Sequence, residues 1–111
     1  MPMPCKTTAT ATYGREKLLQ HVELCCAGDC PEGAKCCVQI SFDHHGGART
    51  WCGCGPEEPK DCHLVLVTPG PGSGGGHPEL VCAGSCPHKM RCVRKDRQVR
   101  PNVIQHWCEC V

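Results

Sequence analysis

The sequence predicts a small, disulfide-rich, mostly β protein made of two tandem homologous cysteine-rich modules, each with a β-hairpin. Three observations lead there. Fourteen of the 111 residues are cysteine, against one tyrosine, one phenylalanine and two tryptophans. Such a chain cannot bury a large apolar core and needs staples. The chain also repeats itself. His21–Cys54 laid over His77–Cys110 without a gap is identical at twelve of thirty-four positions, including "CAG", Cys-Pro and the Trp-Cys-x-Cys ending. Finally, short alternating or β-branched runs are separated by Gly, Pro and Asn, which is how strands and turns are written.

The elements follow in chain order. "TTATAT" (Thr7–Thr12) is a strand, since Thr is β-branched and alternates with Ala. "REKLLQHVEL" (Arg15–Leu24) has the composition of a short helix, although its copy "GGGHPEL" cannot be one. Cys37–Phe42 and Ala48–Cys54 flank "DHHGG" and form a hairpin. Gly55–Asp61 links the modules, whose boundaries are 1–57 and 58–111. His63–Val67 is a strand, followed by the Gly/Pro loop Thr68–Gly76. Cys92–Val99 and Val103–Cys110 flank "RPN" and form the second hairpin. Trp51 and Trp107, each beside a cysteine on a return strand, are expected in the core.

Each module places six cysteines at matching spacing: Cys5, Cys26, Cys30, Cys36, Cys52 and Cys54, then Cys62, Cys82, Cys86, Cys92, Cys108 and Cys110. Two are left over, Cys25 and Cys37, where the second module has Val81 and Val93. A touching Val–Val pair can be replaced by a disulfide when the Cα atoms lie about 4.4–6.8 Å apart. Cys25 and Cys37 are therefore expected to be bonded to each other, with three bonds per module besides. Spacing does not choose among the connectivities that six cysteines allow.

Composition bounds the function. No activated thiol is left over, Glu57 and Glu58 read as a solvated linker, and Gly70–Gly76 lacks the Gly-Lys-Ser/Thr of a phosphate loop. The chain is expected not to be an enzyme and to carry no cofactor and no metal. It reads as a non-catalytic, disulfide-stapled binding or structural protein, a subunit or accessory of a larger extracellular assembly. A protein partner or self-association is expected, nucleic acid is not, and no apolar run is long enough for a membrane span. No secretory signal is visible, yet cysteine density points to a secreted or extracytoplasmic location.

Charge is uneven. Residues 1–61 hold six Lys/Arg and eight Asp/Glu, whereas residues 62–111 hold six and three. Arg91, Arg94, Lys95, Arg97 and Arg100 are the partner-binding candidates, with Arg94 facing the opposite way from Lys95 and Arg97 on a strand. Asp29, Glu32, Asp43, Glu57, Glu58 and Asp61 offer an acidic counterpart for head-to-tail association. Two alternatives stand beside this reading. One is a cytoplasmic zinc-binding Cys/His protein, with His21 and His77 as repeated ligand candidates. The other is a secreted protease inhibitor presenting Lys35 or Arg91 beside a disulfide. The C-x3-C-x5-C run resembles the start of the whey-acidic-protein four-disulfide core. The Cys-Cys doublet that this family places a few residues later has no counterpart in either module, so no function follows from it.

Overall fold

The computed structural model describes residues 4–16, 18–70 and 76–111. Among the described residues eight strands make the fold: β1 (Lys6–Tyr13), β2 (Leu19–Ala27), β3 (Cys37–Phe42), β4 (Ala48–Gly53), β5 (His63–Thr68), β6 (Glu79–Ala83), β7 (Cys92–Arg100) and β8 (Val103–Cys110). A 3-10 turn, Pro31–Gly33, follows β2. The strands form two four-stranded sheets, ordered β2-β1-β8-β7 and β3-β4-β5-β6, and every pairing of named strands is antiparallel.

The sequence repeat makes β1 equivalent to β5, β2 to β6, β3 to β7 and β4 to β8. Exchanging equivalents turns the order of one sheet into the order of the other. Neither sheet belongs to one module: each takes a hairpin from both halves of the chain. β1 pairs with β8 and β4 with β5, so backbone hydrogen bonds join the modules.

Sulfur joins the sheets. Within each module the six repeated cysteines bond first to fourth, second to fifth and third to sixth: Cys5–Cys36, Cys26–Cys52 and Cys30–Cys54, then Cys62–Cys92, Cys82–Cys108 and Cys86–Cys110. Cys26 on β2 thus reaches Cys52 on β4, in the opposite sheet. Three bonds per module agree with the expectation from spacing.

The segment expected to begin as a helix is strand β2 from Leu19. Its pattern settles the matter once β1 is beside it: Val22, Leu24 and Cys26 are half-buried while Glu23 and Cys25 are exposed, a period of two. Pairing with β1 from Lys6↔Ala27 onward outweighs the helix propensity of Glu, Leu and Gln. Both expected hairpins and the β5 strand are present. Part of the expected Gly/Pro loop, residues 71–75, lies outside the described residues.

The core between the sheets is small. Ala9 and Ala11 of β1 meet Leu64 and Leu80, surrounded by Tyr13, Leu19, Val22, Leu24, Leu66 and Cys108. Alanines on β1 let the sheets approach closely. Thr7, buried beside them, accepts the Cys52 backbone N–H on Oγ1 at 2.8 Å, one more link between sheets. The repeated "CAG" glycines also have a physical reason. Gly28 and Gly84 adopt φ of 125° and 95°, and a Cβ there would overlap the carbonyl oxygens of Pro4 and Asp61. Those are the neighbours in the parallel bridges Pro4↔Asp29 and Asp61↔Ser85.

Candidate functional site

The clearest asymmetry between the modules lies on β3 and its equivalent, β7. β3 reads "CVQISF" and, like its preceding Cys36, carries no charge. It is the end strand of its sheet. Register places Val38, Ile40 and Phe42 opposite Cys52, Thr50 and Ala48, and directly opposed residues share a face. Cys52 is in the inter-sheet bond to Cys26, so this is the inward face. Yet Val38, Ile40 and Phe42 are 50%, 55% and 70% exposed. A row of apolar side chains on an uncharged edge strand is the arrangement that proteins ordinarily avoid or cover.

At the equivalent positions β7 carries Arg94, Asp96 and Gln98. Arg94 Nη1 donates to the Leu80 carbonyl at 2.8 Å. Asp96 Oδ1 lies 2.6 Å from Nδ1 of buried His106, whose Nε2 is 2.8 Å from the Tyr13 hydroxyl. Burial raises the Tyr13 pKa above the ordinary phenol value, with Arg94 lowering and Asp96 raising it further. The His106 ring thus bridges the Tyr13 hydroxyl on β1 and the Asp96 carboxylate on β7. The second module finishes its edge with a polar relay; the first leaves an apolar stripe.

Cys25 and Cys37 are not bonded to each other; both are exposed free thiols. Alternation along a strand explains the correction. Their neighbours Cys26 and Cys36 are bonded to Cys52 and Cys5. Cys25 lies opposite Thr8 in one sheet and Cys37 opposite Gly53 in the other, so each faces outward from its own sheet. Gln39 Nε2 donates to Cys37 Sγ at 3.3 Å on that outer face. The valines at the matching positions do not mark touching neighbours.

The basic hairpin divides as its strand period requires. Lys95 and Arg97 lie opposite Trp107 and Gln105 on the outer face, while Arg94 lies opposite Cys108 on the inner one. A register shift between Gln98 and Arg100 interrupts the end of the run. Arg91 has both backbone polar groups tied to Val111, at 2.8 and 2.9 Å, so its main chain is not free to enter a protease cleft as an extended strand. Lys35 lies in the exposed segment before β3. The two sulfur clusters with metal-ligand proximity, Cys5/Cys30/Cys54 and Cys62/Cys86/Cys92, consist of bonded cysteines and offer no thiolate. His21 is exposed on β2, opposite Thr12, away from either cluster.

The acidic set is partly consumed within the fold. Asp43 Oδ1 accepts the His45 and Gly47 N–H groups at 2.8 Å each, which lowers its pKa. Glu58, expected to be solvated, takes both Nε and Nη2 of Arg49 at 2.9 Å and approaches His63 Nε2 at 3.0 Å. It thereby ties the linker onto β4 and β5. The Arg49 hydrogen bond, opposed by burial and aided by charge, holds the Glu58 pKa below the usual carboxylate value. A carboxylate depressed in the folded state adds stability that is full above its unfolded pKa and lost as pH falls through its folded one. Thermal melts should show Glu58→Gln below wild type at neutral pH, with the gap closing in acid. A gap independent of pH would refute this account.

Six disulfides point to an oxidising, extracytoplasmic environment. Among the described residues no helix is long and apolar enough to cross a membrane. Compared with family models, curated proteins and solved structures, the chain finds no match.

Proposed function

We propose that the chain is a non-catalytic, disulfide-stapled structural protein that is secreted and serves, through its two homologous modules (1–57 and 58–111), as a subunit of a protein assembly. The observation that carries this is the exposed apolar stripe Val38, Ile40 and Phe42 on an uncharged edge strand. An edge of this kind recruits another chain by strand addition, with main-chain hydrogen bonds giving affinity and alternate side chains giving specificity.

Sedimentation velocity over a range of protein and salt concentrations tests the reading. Wild type should associate, and Ile40→Lys, at a half-exposed position, should be monomeric with its fold intact. Apolar contact should persist in high salt. Association through Lys95 and Arg97 would weaken instead, as screening requires. A wild-type protein that is monomeric throughout would overturn the proposal.

A further inference from the structure

We infer that the partner of β3 is a second copy of this chain, added antiparallel to β3 about a two-fold axis centred on Gln39. This rests on the reading of β3 as an assembly edge and names what occupies it.

The backbone comes first. The Asp43 N–H donates to the Gly47 carbonyl at 2.9 Å at the mouth of the β3–β4 hairpin. In the unbroken register that follows, Cys37, Gln39 and Ser41 stand in the same phase as Asp43, so their polar backbone groups point to β4. The backbone groups of Val38, Ile40 and Phe42 then point outward, away from the sheet. These residues both expose apolar side chains and carry the unpaired main-chain donors and acceptors.

Side-chain parity comes next. A second β3 must keep the Val38, Ile40 and Phe42 faces together, which an antiparallel pairing centred on a β3 residue does. Charge then chooses direction and register. The strand is preceded by Lys35 and followed by Asp43, with no charge between them. A parallel mate would set like charges side by side, whereas an antiparallel one sets opposite charges together. Centring on Gln39 extends the pairing so that Lys35 of each chain meets Asp43 of the other. Val38 then pairs with Ile40 of the mate, and their outward backbone groups exchange hydrogen bonds. Gln39 meets its own copy, and Cys37 lies opposite Ser41 of the mate. Two four-stranded sheets become one of eight. The equivalent edge, β7, is unsuited to this: its Arg94, Lys95, Asp96, Arg97 and Arg100 put charge along the strand, which blocks edge pairing.

Native Cys37 reports the register. In a non-hydrogen-bonded pair the opposed Cβ atoms lie about 4.5–5.5 Å apart, close enough for a disulfide to form with modest adjustment. Within one chain, positions 37 and 41 are roughly 13 Å apart along a strand, too far to bond. The experiment uses the full chain with Cys25→Val, which removes the other free thiol. Oxidised glutathione takes two electrons and two protons from each thiol pair and leaves as two reduced molecules. Adding Ser41→Cys should convert most of the protein to a covalent dimer on non-reducing gels. Cys25→Val alone should stay monomeric there, because the two Cys37 residues lie four positions out of register. Ile40→Lys in the Ser41→Cys background should abolish the dimer. If Ser41→Cys yields only glutathione adducts while wild type still associates in an Ile40-dependent way, the self-pairing falls and the assembly edge stands. A dimer that Ile40→Lys leaves unchanged would also overturn the inference.

Discussion

Replacing Cys26 and Cys52 together with alanine should lower stability by roughly 3–4 kcal/mol, measured as a shift in denaturant midpoint with the other disulfides kept oxidised. The bond closes a loop with a sequence separation of 26. Constraining the unfolded chain over such a loop contributes about 3.5 kcal/mol in the chain-entropy description. It also joins β2 in one sheet to β4 in the other, and Cys52 is 1% exposed, so its loss opens a void besides. The Cys30–Cys54 bond has a similar separation of 24 but lies beyond the ends of the strands and is less buried. Its removal should cost less. Equal losses would show that loop closure alone, without packing, accounts for both bonds.

Trp51→Ala should cost about 3–5 kcal/mol, the range for emptying a buried large aromatic site, and Trp107→Ala less than half as much. The two tryptophans occupy the same place in the repeat. Trp51 is 1% exposed, and the β3–β4 and β4–β5 registers put it on the outer face of its sheet with Arg49, His63 and fully buried Val65. Glu58 draws the linker to Arg49 and His63 on this same face. Trp107 is only half-buried, and its Nε1 donates to Glu109 at 2.6 Å. At the matching place beside Trp51 stands Gly53, and among the described residues the buried Trp51 Nε1 has no hydrogen-bond partner. Urea unfolding of the two variants separates these environments. Comparable losses would mean that linker burial adds nothing to the first site.

The repeat made most of this fold legible in advance. Two copies of one cysteine spacing implied equivalent strands and three bonds in each half, and turn residues located both hairpins. What could not be read was the exchange of partners. Strand alternation in β1 or β4 is the same whichever hairpin lies alongside, so period-two patterning says nothing about β1 choosing β8. The Cys25–Cys37 expectation failed for a related reason. Matching substitutions at Val81 and Val93 suggested contact, but strand parity beside the bonded Cys26 and Cys36 sends both thiols outward. The β3 edge did leave a signal: charge is absent from Cys36 to Phe42 and abundant on β7. Its meaning depended on knowing that both are end strands. Glu58 left none, because a linker carboxylate gains its importance only when β4 and β5 lie together.

The exchange of hairpins bears on ancestry and on dissection. A polypeptide holding just one copy of the repeat would have two hairpins and no mate for either inner strand. It would complete its sheets only by trading hairpins with an identical molecule. Viewed so, the present protein has the layout of a swapped homodimer joined through Gly55–Asp61 into one polypeptide, whose halves are free to differ. One half could then close its rim with Arg94 and Asp96 while the other kept Val38, Ile40 and Phe42 for company. Cutting the polypeptide in that segment should give fragments that refold together but not apart.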